Sequence, residues 1–125
     1  MSNAQRAIAA SEYPRDPTDR DRLREEWRIA AVDHAKKKDL ASRLEEGRKI
    51  LLSVMITELV DGGMPVGKAE NLARASAKFQ DHCALMHQAR LAADLAWVEA
   101  EDKDRVYWSQ VNDEANARTE RRLSR

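Results

Sequence analysis

His82, Cys83 and His87 are the residues of this chain whose types and spacing come nearest to chemistry. Cys83 and His87 stand four apart, on one face if the segment is helical, and thiolate and imidazole both bind zinc. A structural zinc site takes four protein ligands. Cys83 is the only cysteine and His34, the third histidine, falls at a different level of the chain, so the cluster offers two. A buried thiol flanked by partly exposed histidines is the plainer reading, and no metal or other cofactor is expected. Catalysis by Cys83 and His87 would need an activated thiolate, an orienting group and a concave pocket. A narrow helical seam supplies none of these, so no catalytic residue is assigned and the chain is not expected to be an enzyme.

The remaining polar groups point the same way. Glu25-Glu26, Glu45-Glu46 and Glu101-Asp102 are adjacent pairs, and adjacent side chains diverge around a helix, so they read as solvated faces. No Glu-x-x-His pair suggests a di-iron bundle. Gly62, Gly63 and Gly67 fit neither common phosphate-binding fingerprint. Two basic clusters could touch phosphates: Lys36, Lys37 and Lys38, and, further on, Arg118, Arg121, Arg122 and Arg125. Cations near a helix C-terminus are also favourable for dipole reasons, which leaves a solvated helix end as the competing reading. No aromatic residues interleave with these arginines, so base stacking on single strands is not supported. The segment Met55 to Ser76 has the outline of a DNA-reading helix-turn-helix. However, Leu59 stands where that motif favours a small residue, and Val66 to Arg74 brings only Lys68 and Arg74 as cations. A plain connecting helix explains it better.

The elements that carry these residues follow from punctuation and periodicity. Prolines at 14 and 17 exclude a helix through residues 1 to 17, which read as a tail. Thr18 is a good N-cap, and Asp19 and Asp21 place negative charge at the positive helix end. Leu23, Trp27, Ala30, Leu40, Leu44, Leu51, Met55 and Leu59 then recur at helical spacing, with Gly47 marking either a bend or a close helix crossing. Gly62-Gly63-Met64-Pro65 is the strong break: a glycine suits the left-handed C-cap, and Pro65 suits the first position of a new helix. A short helix from Val66 to Arg74 should lead into a second arm along the seam Phe79, Cys83, Met86, Ala93, Trp97, Ala100, Tyr107, Val111. The fold class is therefore all-α, a long antiparallel helical hairpin with arms over about residues 19–60 and 76–120 and a junction over 61–75. With arms of nearly equal length and Ser76 opposite Val60, Trp108 faces Arg28 and should approach Trp27.

Composition sets the bounds on partners. Only 5% of the residues are aromatic and 35% are charged, the composition of long exposed helices. Lys and Arg total 22, as do Asp and Glu, so a general field for polyanions is not expected. Residues 51 to 100 carry ten charges, a lower density than residues 15 to 50, which makes the closed end the better surface for burial. Two helices bury one narrow stripe each, too little to offset the ordering of so long a chain. Self-association into a dimeric or larger bundle is expected, with Leu85, Leu91, Leu95 and Val98, partly off the seam, as the second apolar face. No apolar run approaches the roughly 18 residues of a membrane span, and no secretion signal or disulfide framework is evident, so a cytoplasmic protein without membrane contact is expected.

Glu58-Leu59, Gly63-Met64-Pro65-Val66, Ala69-Glu70 and Ala73-Arg74 together resemble the hairpin junction of small all-helical accessory proteins encoded by phages and prophages, often beside recombination or replication genes. The resemblance covers the central half of the chain. It implies a non-enzymatic helper in phage DNA metabolism, or a small protein that binds a host factor, and brings no catalytic residues with it. The function expected is a self-associating helical protein that binds another macromolecule, with a nucleic-acid accessory acting through its arginines as the alternative.

Overall fold

The computed structural model describes residues 19–124, within which the chain forms three helices. Helix α1 is Asp19–Asp61, α2 is Val66–Ala75 and α3 is Ala77–Leu123. The fold is an all-α helical hairpin whose two long helices pack against each other, with α2 as the connecting helix. The expected tail over 1 to 17, the Thr18 cap and Arg125 lie outside the described residues.

The turn after α1 is built by backbone hydrogen bonds. Gly63 N–H donates to Val60 O (2.9 Å) and Met64 N–H to Leu59 O (3.1 Å), which satisfies two of the last carbonyls of the helix in the Schellman pattern. That geometry requires a left-handed residue between them, and Gly63 has φ +98°. Leu59 and Met64, the pair expected to touch across such a turn, are both half-buried. Pro65 stands one position earlier than the sequence suggests. It is the N-cap of α2 rather than its first helical residue, and its carbonyl accepts from Ala69 N–H (2.9 Å). A residue already at φ −59° enters the helix from this place without strain.

The joint between α2 and α3 is a single residue, Ser76, in extended conformation. Its hydroxyl donates to Ala73 O (2.7 Å) at the end of α2 and accepts from Phe79 N–H (3.2 Å) at the start of α3. One side chain thus caps both helices, since the third N–H of α3 is an orphan donor in need of an acceptor. Gln80 Nε2 reaches back to Arg74 O (2.7 Å) and ties the joint a second time.

The packing divides into two compact units. In one, the part of α1 from Asp33 onward packs with α2 and with α3 through Ala96. Its core is small: Ala41, Ala89 and Ala93 cluster with Leu44 against them, Ala69 and Ala73 are buried on α2, and Phe79 and Met86 are its large buried side chains. Arg90 pairs with Glu45, one residue from the partner the expected register gives it. His82 departs further: it meets Leu44 and Gly47 instead of Val54. In the other unit, α1 through Val32 packs with α3 from Trp97. Arg20 pairs with Glu114 (3.8 Å), Glu26 with Lys103 (3.7 Å), and the rings of Trp27 and Tyr107 stack at 6.4 Å.

Two seam positions and one contact expected from the register are corrected. Trp97 is 52% exposed and Leu40 53%, while the neighbouring Ala96 and Ala41 are buried in their places. The aromatic partner of Trp27 is Tyr107; Trp108 instead packs edge-on against Tyr107 at 5.3 Å and is more than half exposed. For the two tryptophans the cause is the same. Along α3 the covered positions advance by alternating steps of three and four through Met86, Ala89, Ala93, Ala96, Ala100, Lys103 and Tyr107. A residue one place off that series turns about 100° away from the partner helix, however apolar it is.

Candidate functional site

The histidine and cysteine cluster resolves into a structural contact. His82 Nε2 lies 2.7 Å from Leu44 O. A carbonyl oxygen can only accept, so that nitrogen carries the proton and donates. A donor nitrogen is not a metal ligand in this state. The ring fits because α1 carries Gly47 at this level: a Cβ there would lie 3.2 Å from His82 Cε1. Gly47 therefore marks a close approach inside an unbroken α1. Cys83 is a free thiol, half-buried, and His87 is exposed. Among the described residues no group of three His, Cys, Asp or Glu could hold a metal ion.

The two basic clusters differ. Lys36 and Lys38 are exposed, whereas Lys37 is half-buried and its Nζ is 2.9 Å from Asp33 Oδ2, so the run is not a free trio of cations. Successive residues also point about 100° apart around the helix, which prevents the three from forming one patch. Arg118, Arg121 and Arg122 are exposed, follow at three and four on one face of α3, and form no ion pair among the described residues. Arg118 and Arg121 flank a shallow groove whose other lining residues include Asp113 and Glu114, so the field there is mixed. Further along this unit, the Tyr107 hydroxyl, aided by Glu114, holds the Arg20 guanidinium above its ordinary value.

The apolar face expected on α3 is exposed. Leu91 is 60% exposed and Leu95 61%, one turn apart, and Leu85 and Val98 are each a little over half exposed. In the unit that holds the leucines, Ile50, Val54 and Leu72 add exposed apolar surface that the seam argument passed over. The sequence signal was present, since Ile50 and Val54 are four apart and both fall outside the α1 seam.

A second feature of this unit escaped the sequence reading. Arg48, Lys49 and Leu52 from α1, Arg74 from α2 and Phe79 from α3 line a concavity of about 300 Å³. Three of the five lining residues are cationic and none is acidic. These residues come from three helices, so the only available sequence cue was the i, i+4 pair Arg48 and Leu52, which by itself signals nothing.

No helix among the described residues is long and apolar enough to cross a membrane. The chain matches no family model, no curated protein and no solved structure.

Proposed function

We propose that this chain is a non-enzymatic, self-associating helical protein that binds another macromolecule through a helical face. The observation that carries the reading is the contrast between core and surface in the unit containing Leu91. Six of the eight buried apolar residues described in that unit are alanines, while Leu85, Leu91, Leu95 and Ile50 are all more than half exposed. Burying a leucine contributes about 1.5–3 kcal/mol, so covering this surface is the main stabilisation still open to the protein. A second copy of the chain supplies a matching face, and a helical bundle is the arrangement that uses it. The resemblance to phage and prophage accessory proteins supports a host factor as the further partner. Sedimentation equilibrium over a wide concentration range tests self-association: a mass above the monomer that falls on replacing Leu91 and Leu95 by Lys is expected, and a monomer at every concentration would overturn the proposal.

A second reading has its own observation. Arg118, Arg121 and Arg122 share a helix face without ion-pair partners among the described residues, which suits contact with phosphates by a DNA-metabolism accessory. A salt-sensitive electrophoretic shift with duplex or single-stranded DNA, lost when these arginines and Arg125 become Gln, would favour it. No shift at low salt would remove it.

A further inference from the structure

We propose that the concavity between Arg48, Lys49, Leu52, Arg74 and Phe79 is a docking site for an acidic peptide segment that places a carboxylate beside an aliphatic or aromatic side chain. It rests on the reading of this chain as a macromolecule-binding protein only for the class of its partner, and it uses none of the α3 leucines.

Charge complementarity selects the occupant. Arg48, Lys49 and Arg74 line the site and no carboxylate does. Lys49 has a partner outside the lining, Glu46 at 3.2 Å, whereas Arg48 and Arg74 form no ion pair among the described residues. Arg48 and Arg74 come to the lining from different helices, and an arginine side chain carries donors in a fork that matches a carboxylate. The volume, about 300 Å³, lies at the small end of ligand sites and suits one or two side chains. Leu52 and Phe79 complete the lining with apolar surface, which argues against a bare phosphate backbone, because a polyphosphate chain has no apolar group to place next to its charge.

The site is also held in place. Arg74 and Phe79 stand on either side of the Ser76 joint, and the bonds of Ser76 to Ala73 O and from Phe79 N–H, with that of Gln80 to Arg74 O, set one wall. The other wall is the continuous helix α1. Ordering costs on binding then fall mainly on the peptide.

Fluorescence polarisation with a short labelled peptide of alternating glutamate and leucine tests the proposal on the full chain. Saturable binding is expected, weakened about three- to tenfold by Arg48→Gln and by Arg74→Gln singly, as for a partly exposed charged pair. Arg43→Gln, an exposed arginine paired with Asp39 outside the groove, should leave it unchanged. Lysine in place of the peptide's glutamates should abolish binding, and serine in place of its leucines should weaken it. Arg74 is exposed, so its variant keeps the helical circular dichroism of the parent and remains informative if Arg48→Gln perturbs the fold. Absence of saturable binding, equal binding by Arg74→Gln, or tighter binding of a labelled oligonucleotide that the same arginines control would overturn it. A chain carrying Leu91→Lys and Leu95→Lys should retain peptide binding, so failure here and failure of self-association are read separately.

Discussion

Gly47 and His82 act as a pair at the residue scale: the imidazole lies 3.2 Å from where a Cβ on Gly47 would stand, tighter than an ordinary contact, and donates to Leu44 O. Gly47→Ala alone gains about 1 kcal/mol of helix propensity but pushes on the ring, so its net effect should fall clearly short of that gain. In a His82→Ala background the same change should stabilise by the full ~1 kcal/mol, giving a clear coupling in a double-mutant cycle by urea denaturation. Additive effects would show that the close approach carries no energy. A second residue-scale contact titrates. Arg28 donates twice to Glu25, at 3.0 and 2.7 Å, and holds its carboxyl below the ordinary value. A lowered folded-state pKa favours the folded state above the ordinary carboxylate range and loses that effect as pH falls through the folded value. The difference in melting temperature between the parent and Arg28→Gln should therefore be largest near neutral pH and vanish in acid; a difference that persists below both pKa values would have another origin.

Gly63 at the end of α1 and Ser76 between α2 and α3 meet orphan backbone groups, and each predicts a cost at the scale of the element. Ser76 serves two helices, so Ser76→Ala should destabilise by about 1–2 kcal/mol, the upper part of the range for losing an N-cap. Thermal unfolding followed by circular dichroism reads it, and a cost near zero would mean that water replaces the hydroxyl at both helix ends. Gly63→Ala should cost about 1–2 kcal/mol, because its φ of +98° is strained for any residue with a Cβ. Nothing lies within 4 Å of a Cβ at that place, so the cost comes from the backbone alone. Gly67 also faces open space, but within a helix, and Gly67→Ala should instead stabilise by about 1 kcal/mol.

For the whole molecule, the decisive property is how little of its large apolar content is covered. Alanines dominate the buried set described: five lie on the two long helices and two on α2, while leucines and isoleucines lie exposed beside them. If copies associate through Leu91 and Leu95, apparent stability rises with protein concentration by mass action. The melting temperature should then climb across a hundredfold concentration range for the parent and stay flat for the variant carrying Lys at both positions. A flat parent would locate the missing burial in a different partner.

Much of this hairpin was legible in the chain itself, since glycine, proline and serine act through local backbone chemistry that does not depend on distant residues. Gly62 to Pro65 marked the turn, and the period of the apolar residues marked two long helices. The same local logic did not decide which of two neighbouring residues faces inward. Ala41 displaced Leu40 and Ala96 displaced Trp97, because closely spaced backbones select small side chains over larger ones, while Tyr107, expected on the seam, took the place beside Trp27 that the register had given to Trp108. Tertiary structure also spent His82 on a carbonyl of α1 and drew Arg48, Lys49 and Arg74 to one concavity. Contacts between helices depend on rotation and register, and a shift of one residue in either moves a side chain about 100° around its axis.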